Sequence, residues 1–141
     1  TFDPDQHVDG EFVAARVASA AQRRETLLGH GTTDSARLVF SEADGVPGLV
    51  ADRYGIPTPA SGKFVTPDLI LLPLNGFDSA GYRLGYGGGY FDRTLAALHP
   101  RPLAVGVGFE LNRLASIFPQ AHDQRLDWIV TETVAFRVGA A

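Results

Sequence analysis

The chain has 141 residues, 45% of them hydrophobic and 20% charged, ordinary values for a globular domain long enough to bury a core. A net charge of −4 argues against a general nucleic-acid or membrane surface, because neutralising a phosphate backbone takes a basic face; any phosphate site must be local. With no cysteine there is no disulfide framework, no thiolate nucleophile and no thiolate metal site, and no apolar run reaches spanning length.

Lys63 is the only lysine among the twelve basic residues, which favours forked, bidentate contacts wherever the cations do chemistry; an arginine-rich genome would write the same bias. The acidic Asp3 and Asp5 do not resemble a signal or transit peptide, so a cytoplasmic location is the default expectation. The lack of any Met, the initiator included, reads as a trimmed or selected fragment.

In chain order, Asp9 caps a predicted helix running to about Leu28, with Phe12, Val13, Val17, Ala20, Ala21, Leu27 and Leu28 as its apolar stripe and Gly29 as its stop. Arg16, Arg23 and Arg24 fall on other faces and read as a solvated basic surface. Residues 37–40 and 49–52 are short apolar runs separated by Asp44-Gly45 and Pro47-Gly48, the composition of a hairpin. After an irregular stretch over 56–67, Asp68 to Leu74 is a continuous apolar run bounded by prolines, as expected of a strand covered on both faces.

Gly81 to Arg93 follows, with five of the sixteen glycines ahead of a helical pattern from Tyr90 to Leu98 that ends at His99-Pro100. A glycine-rich turn opening into a helix N-terminus gathers backbone N–H groups and the positive end of the helix dipole, which suits phosphate. Arg83 and Arg93 add charge, and Asp92 adds an oxygen suited to Mg²⁺. The same composition also serves a plain chain reversal, and its spacing is neither a Walker loop nor the dinucleotide fingerprint. Leu103 to Phe109 reads as a second buried strand, with Gly106 and Gly108 allowing close approach; Leu111 to Phe118 as a short amphipathic helix; Asp127 to Thr131 and Val134 to Val138 as closing strands. The order predicts an α/β fold with a mostly parallel sheet, Ile70, Leu72, Val105, Val107, Ile129 and Val130 inside it, and a ligand at the carboxyl ends of the strands.

Residues 55–133 resemble the C-terminal part of 5-formyltetrahydrofolate cyclo-ligase. The resemblance lies in Gly-Ile-Pro-Thr-Pro (55–59), Pro-Asp-Leu-Ile-Leu-Leu-Pro-Leu (67–74), Phe77-Asp78, the glycine stretch, His122-Asp123, Leu126-Asp127 and Val130-Thr131-Glu132. It implies a segment of a three-layer domain that uses ATP and Mg²⁺, with Arg83, Gly85, Gly87, Gly88 and Gly89 on phosphate, Tyr90 at the nucleotide–folate junction and Asp92 on the metal side. His122 and Asp123 match a further motif of that family and also read as a structural pair. Residues 5–54, especially Arg37 to Gly55, resemble instead the linking segment of ribosomal-RNA large-subunit cytosine-C5 methyltransferases, whose nucleophile is a cysteine this chain lacks.

Two resemblances meeting near Tyr54-Gly55 imply segments 1–54 and 55–141, and a recombined or engineered chain that keeps a nucleotide loop while replacing much of the folate pocket; the alternatives are chance similarity in one half and an active ATP-dependent cyclo-ligase that forms 5,10-methenyltetrahydrofolate. A sheet that begins near Gly55 has an exposed edge, which the hairpin or a second copy must cover, so self-association is expected. The remaining partners implied are a nucleotide and a folate, with no nucleic acid and no membrane.

Overall fold

The computed structural model describes residues 27–31, 38–42, 49–51, 55, 57–59, 64–85 and 87–139. Residues 9–26, which carry most of the expected N-terminal helix with Arg16, Arg23 and Arg24, lie outside them. The fold is α/β, and the site rests on a four-stranded sheet in the order β12-β11-β9-β6. Its strands are β6 (Leu69–Pro73), β9 (Leu103–Val107), β11 (Trp128–Val130) and β12 (Ala135–Arg137). The first three run parallel, and β12 returns antiparallel along β11.

Register explains the layering. Ile70 lies beside Ala104, Leu72 and Ile129 beside Gly106, and this face buries Ile70, Leu72, Ala104 and Ile129 with Phe77, Leu95 and Leu126. Helix α1 (Tyr90–Ala97) packs Leu95, Phe91 and the adjoining Leu98 onto it. Each fully buried Leu, Ile or Phe on this face contributes roughly 1.5–3 kcal/mol. Gly106 is required here: a Cβ would stand 2.6 Å from Leu126 Cδ1 and 2.8 Å from Leu74 Cδ2. The opposite face holds Leu103, Val105 and Trp128 as a second cluster. Central strand β9 is thus buried on both faces, but β6, which ends the sheet among the described residues, is not: its pattern alternates and Leu71 is 49% exposed. The expectation that Val107 is buried fails as well, at 43% exposure near the strand end, while Val130 is half-buried.

Other expectations are corrected. Leu27 and Leu28 lie in strand β1 (Leu27–Gly31), not in a last helical turn, and Gly29 is a strand residue rather than a cap. Cross-strand bonding to β2 (Leu38–Glu42) decides this, a nonlocal partner that helical spacing cannot reveal. The two runs expected to form one hairpin do not pair: β2 lies between β1 and β5 (Phe64–Val65), while β3 (Leu49–Ala51) pairs with β4 (Pro57–Pro59). In place of a helix over 111–118 there is a single 3₁₀ turn at Glu110–Asn112 and short strand β10 (Arg113–Leu114), with Leu111 91% and Phe118 86% exposed.

Between β6 and the glycines stands a hairpin the sequence pattern did not predict, β7 (Gly76–Asp78) and β8 (Arg83–Leu84). Asp78, 3% exposed, organises it: Oδ1 accepts the Tyr82 N–H at 3.1 Å, and Oδ2 accepts the Ile117 N–H at 3.1 Å. Gly81, at φ 90°, closes the turn where a Cβ would meet Val138 at 2.3 Å. The segment running to β11 lies along this hairpin, with Arg125 Nε donating to Ala80 O and Leu126 N–H to Gly81 O.

Candidate functional site

The site grows out of β8. Arg83 ends the hairpin, Gly85 to Gly89 follow, and α1 starts at Tyr90. Gly87 (φ 85°) and Gly89 (φ 65°) take left-handed backbone, a conformation that costs a side-chain-bearing residue roughly 1 kcal/mol or more. Gly89 is the helix N-cap, and among the described residues no side chain caps it; the positive end of the helix dipole falls at this turn. The glycines also make room for guanidinium groups: a Cβ on Gly85 would lie 2.8 Å from Arg83 Nη1, and one on Gly89 2.9 Å from Arg93 Nη1.

Two arginines therefore line the turn. Arg93 folds back to donate to Gly88 O and lies over the Tyr90 ring. The Arg83 side chain is only 6% exposed; it stacks on Phe91, its Cζ 4.8 Å from the ring centroid, and pairs with Asp92 Oδ2 at 3.5 Å. Its Nε is buried and, among the described residues, has no hydrogen-bond partner. Burial pulls this guanidinium below its ordinary pKa, opposed by Asp92 and then Asp123; arginine stays charged regardless. A buried donor left unmade costs about 1–3 kcal/mol, so the arrangement is poorly explained by stability alone.

Asp92 joins two parts of the chain. While Oδ2 faces Arg83, Oδ1 accepts the Gln124 N–H at 2.9 Å. That bond sets the segment carrying His122 and Asp123 beside the glycine turn. Asp123 Oδ2 accepts the Gln120 N–H at 2.7 Å, and Oδ1 lies 3.6 Å from the exposed His122 Nε2. The structure thus brings Arg83, Gly85, Gly87, Gly88, Gly89, Tyr90 and Asp92 into one turn, with Asp123 close enough to act on Arg83 electrostatically. Two contributors escaped the sequence: Phe91 as a platform for Arg83, and Gln124, which acts through its backbone and so leaves no side-chain signal. Among the described residues no group of three or more His, Cys, Asp or Glu is clustered to hold a metal, so Asp92 offers a cation a single carboxylate already shared with two donors.

A second polar cluster sits at the carboxyl ends of β9 and β11. Arg113 is held by Glu110 and lies over both Phe77 (5.0 Å) and Phe136 (5.1 Å), while Glu110 accepts Thr131 Oγ1–H. Its groups satisfy one another and cap the core. Among the described residues no helix is long and apolar enough to cross a membrane.

Over 92% of its length the chain superposes on 66% of the 5,10-methenyltetrahydrofolate synthetase of Aquifex aeolicus, with a TM-score of 0.65 and 26% identity. It also superposes on 63% of the Mycoplasma pneumoniae 5,10-methenyltetrahydrofolate synthetase, with a TM-score of 0.58 and 22% identity, a likeness of fold. A 54-residue stretch, 38% of the chain, is 43% identical to ribosomal RNA large subunit methyltransferase I of Shewanella amazonensis, of which it spans 14%. The chain therefore spans less than two thirds of each of these proteins. The model of the 5-formyltetrahydrofolate cyclo-ligase family matches residues 16–132, extending the resemblance well to the N-terminal side of Gly55. On that match, which runs through the strands, the glycine turn and the His122-Asp123 segment alike, the chain belongs to the 5-formyltetrahydrofolate cyclo-ligase family.

Proposed function

We propose that the chain binds the phosphates of ATP at the glycine turn, through Arg83, Gly85, Gly87, Gly88 and Gly89. There it would serve the conversion of 5-formyltetrahydrofolate to 5,10-methenyltetrahydrofolate. The observation that carries this reading is Arg83, a buried guanidinium whose Nε–H finds no acceptor among the described residues, beside the N-terminus of α1. An anion there would supply an acceptor for that donor and a charge for the dipole. In the reaction the formyl oxygen takes the terminal phosphoryl group as its bond to ADP breaks, the neighbouring nitrogen attacks the formyl carbon and gives up its proton, and the C–O bond breaks as phosphate leaves. Positioning and charge neutralisation are what such a transfer needs from a protein. Tyr90 then lines the nucleotide–folate junction. Mg²⁺ is held largely by substrate phosphates and needs only one or two protein carboxylates, so Asp92 is the residue that would hold it, and the ion would neutralise phosphate charge. Asp123 adds a second negative charge near Arg83, with His122 beside it as its structural partner.

A second reading keeps the binding and drops the turnover: a recombined chain in which segment 1–54 is scaffold. The 43% identity of a 54-residue stretch to a methyltransferase is what supports a recombination, while the family match over residues 16–132, which crosses Gly55, supports the first reading. One pair of measurements separates the two, melting temperature with ATP and Mg²⁺, and absorbance of methenyltetrahydrofolate after addition of 5-formyltetrahydrofolate. A melting shift with product supports turnover, and a shift without product supports the scaffold reading. No shift at millimolar ATP, or an equal shift in Arg83→Ala, overturns both, since a ligand of the native state must stabilise it.

A further inference from the structure

We propose that β6 is an interface: its free edge pairs antiparallel with β6 of a second copy of this chain, about a two-fold axis through Leu71. Backbone bonds fix which groups are available. Leu103 N–H donates to Asp68 O and Leu74 N–H to Val107 O, so the even-numbered residues of this strand face β9. With a period of two, Leu69, Leu71 and Pro73 turn their backbone groups away from it. Among the described residues no strand pairs with that side. The strand reads Leu-Ile-Leu-Leu-Pro: it carries no charge to protect this edge, and Pro73 at its end is its one edge-blunting residue. Leu71 is 49% exposed, and Val107, which lies beside Pro73, is 43% exposed.

The sequence of the edge selects a second copy as its occupant. With Leu71 opposite Leu71, each donates its N–H to the other's carbonyl. Pro73, which has no N–H, falls opposite Leu69, whose N–H donates to the Pro73 carbonyl in both directions. The missing donor thus leaves only the Leu69 carbonyl unpaired, at the rim where water reaches it. Asp68 falls opposite Leu74 of the other copy, so no carboxylate meets a carboxylate. The two exposed Leu71 side chains meet on one face as a directly opposed pair. Such a contact is isologous and closes on itself.

Sedimentation equilibrium across a concentration series tests this, with Leu71→Lys and Leu71→Glu variants and residue-resolved amide exchange. The expected result is a twofold rise in mass from 15.1 kDa with concentration. Each variant alone should stay monomeric, and an equimolar mixture should associate, because Lys then faces Glu across the axis. The Leu69 and Leu71 amides should become protected only as the dimer forms, while Ile70 and Leu72 stay protected throughout and report that the variants are folded. A monomer at every concentration, a Leu71→Lys dimer as tight as the parent's, or a Leu71 amide protected in the monomer would each overturn the proposal; the last would mean that the chain covers its own edge.

Discussion

Replacing Arg83 by Met separates what the guanidinium does for the fold from what it does for a ligand. Its stabilising contacts are a single 3.5 Å pair with Asp92, worth about 0–1 kcal/mol, and stacking on Phe91, worth about 0.5–2 kcal/mol. Against them stand the buried Nε–H without an acceptor, which costs about 1–3 kcal/mol, and the desolvation of a charge whose side chain is 6% exposed. A methionine reaches as far, keeps an apolar contact with Phe91 and strands no donor. Asp92 loses a counter-charge but keeps the Gln124 N–H at 2.9 Å. The opposing contributions cancel to within about 1–2 kcal/mol, so the ligand-free melting temperature should lie within about 6 °C of the parent's. The rise produced by tripolyphosphate or ATP should disappear. Calorimetric melts of both proteins, with and without ligand, read both quantities. A loss of more than about 4 kcal/mol without ligand, beyond what these contacts supply, would make Arg83 a structural cation. An undiminished ligand response would remove it from the site.

Gly106→Ala places a methyl group 2.6 Å from Leu126 and 2.8 Å from Leu74; overpacking of this kind should cost about 1–3 kcal/mol, read from urea denaturation midpoints. Asp78→Ala leaves the Tyr82 and Ile117 N–H groups without acceptors and should cost about 2–4 kcal/mol, with faster amide exchange at Tyr82 and Ile117 as its local signature. Hydrogen bonding from Arg113 holds Glu110 below the ordinary glutamate range. A depressed folded-state value means that the stability from this pair is complete above the unfolded value of about 4.3 and lost as pH falls through the lowered one. Urea midpoints of the parent and Glu110→Gln should therefore separate above about pH 5 and converge in acid. Trp128 is the only tryptophan and is 6% exposed, so native fluorescence should be blue-shifted and move red in one step as the sheet unfolds; an emission maximum already in the solvent-exposed range would contradict the second core.

The sheet and the glycine turn were legible because their signals are local. Ile70, Leu72, Val105 and Ile129 fall in short apolar runs, Gly106 and Gly108 mark close approach, and a run of glycines before Tyr90 marks the turn into α1. What could not be read depends on partners far along the chain. Leu27 and Leu28 continue a helical spacing yet pair with Ser41 and Glu42 in a ladder. Leu49 to Ala51 looks like the mate of Leu38 to Phe40 yet bonds to residues 57–59. Leu111 and Leu114 suggest a buried stripe, but Arg113 is drawn across the core by Phe77 and Phe136, and the segment stays open. At the site, Asp92 is visible as a carboxylate near a phosphate turn, but its bond to the Gln124 N–H spans 32 residues and leaves no trace in composition.

The central claim is that the glycine turn, with Arg83 behind it, is an anion site and not merely a reversal of the chain. The most direct measurement is residue-resolved amide chemical shift during titration of the whole chain with tripolyphosphate. Binding as proposed should give saturable shifts at Gly87, Gly88, Gly89, Tyr90 and Phe91 and at the Arg83 Nε–H. No saturable shift at these positions, or shifts confined to the exposed Arg125 and Arg137, would contradict it.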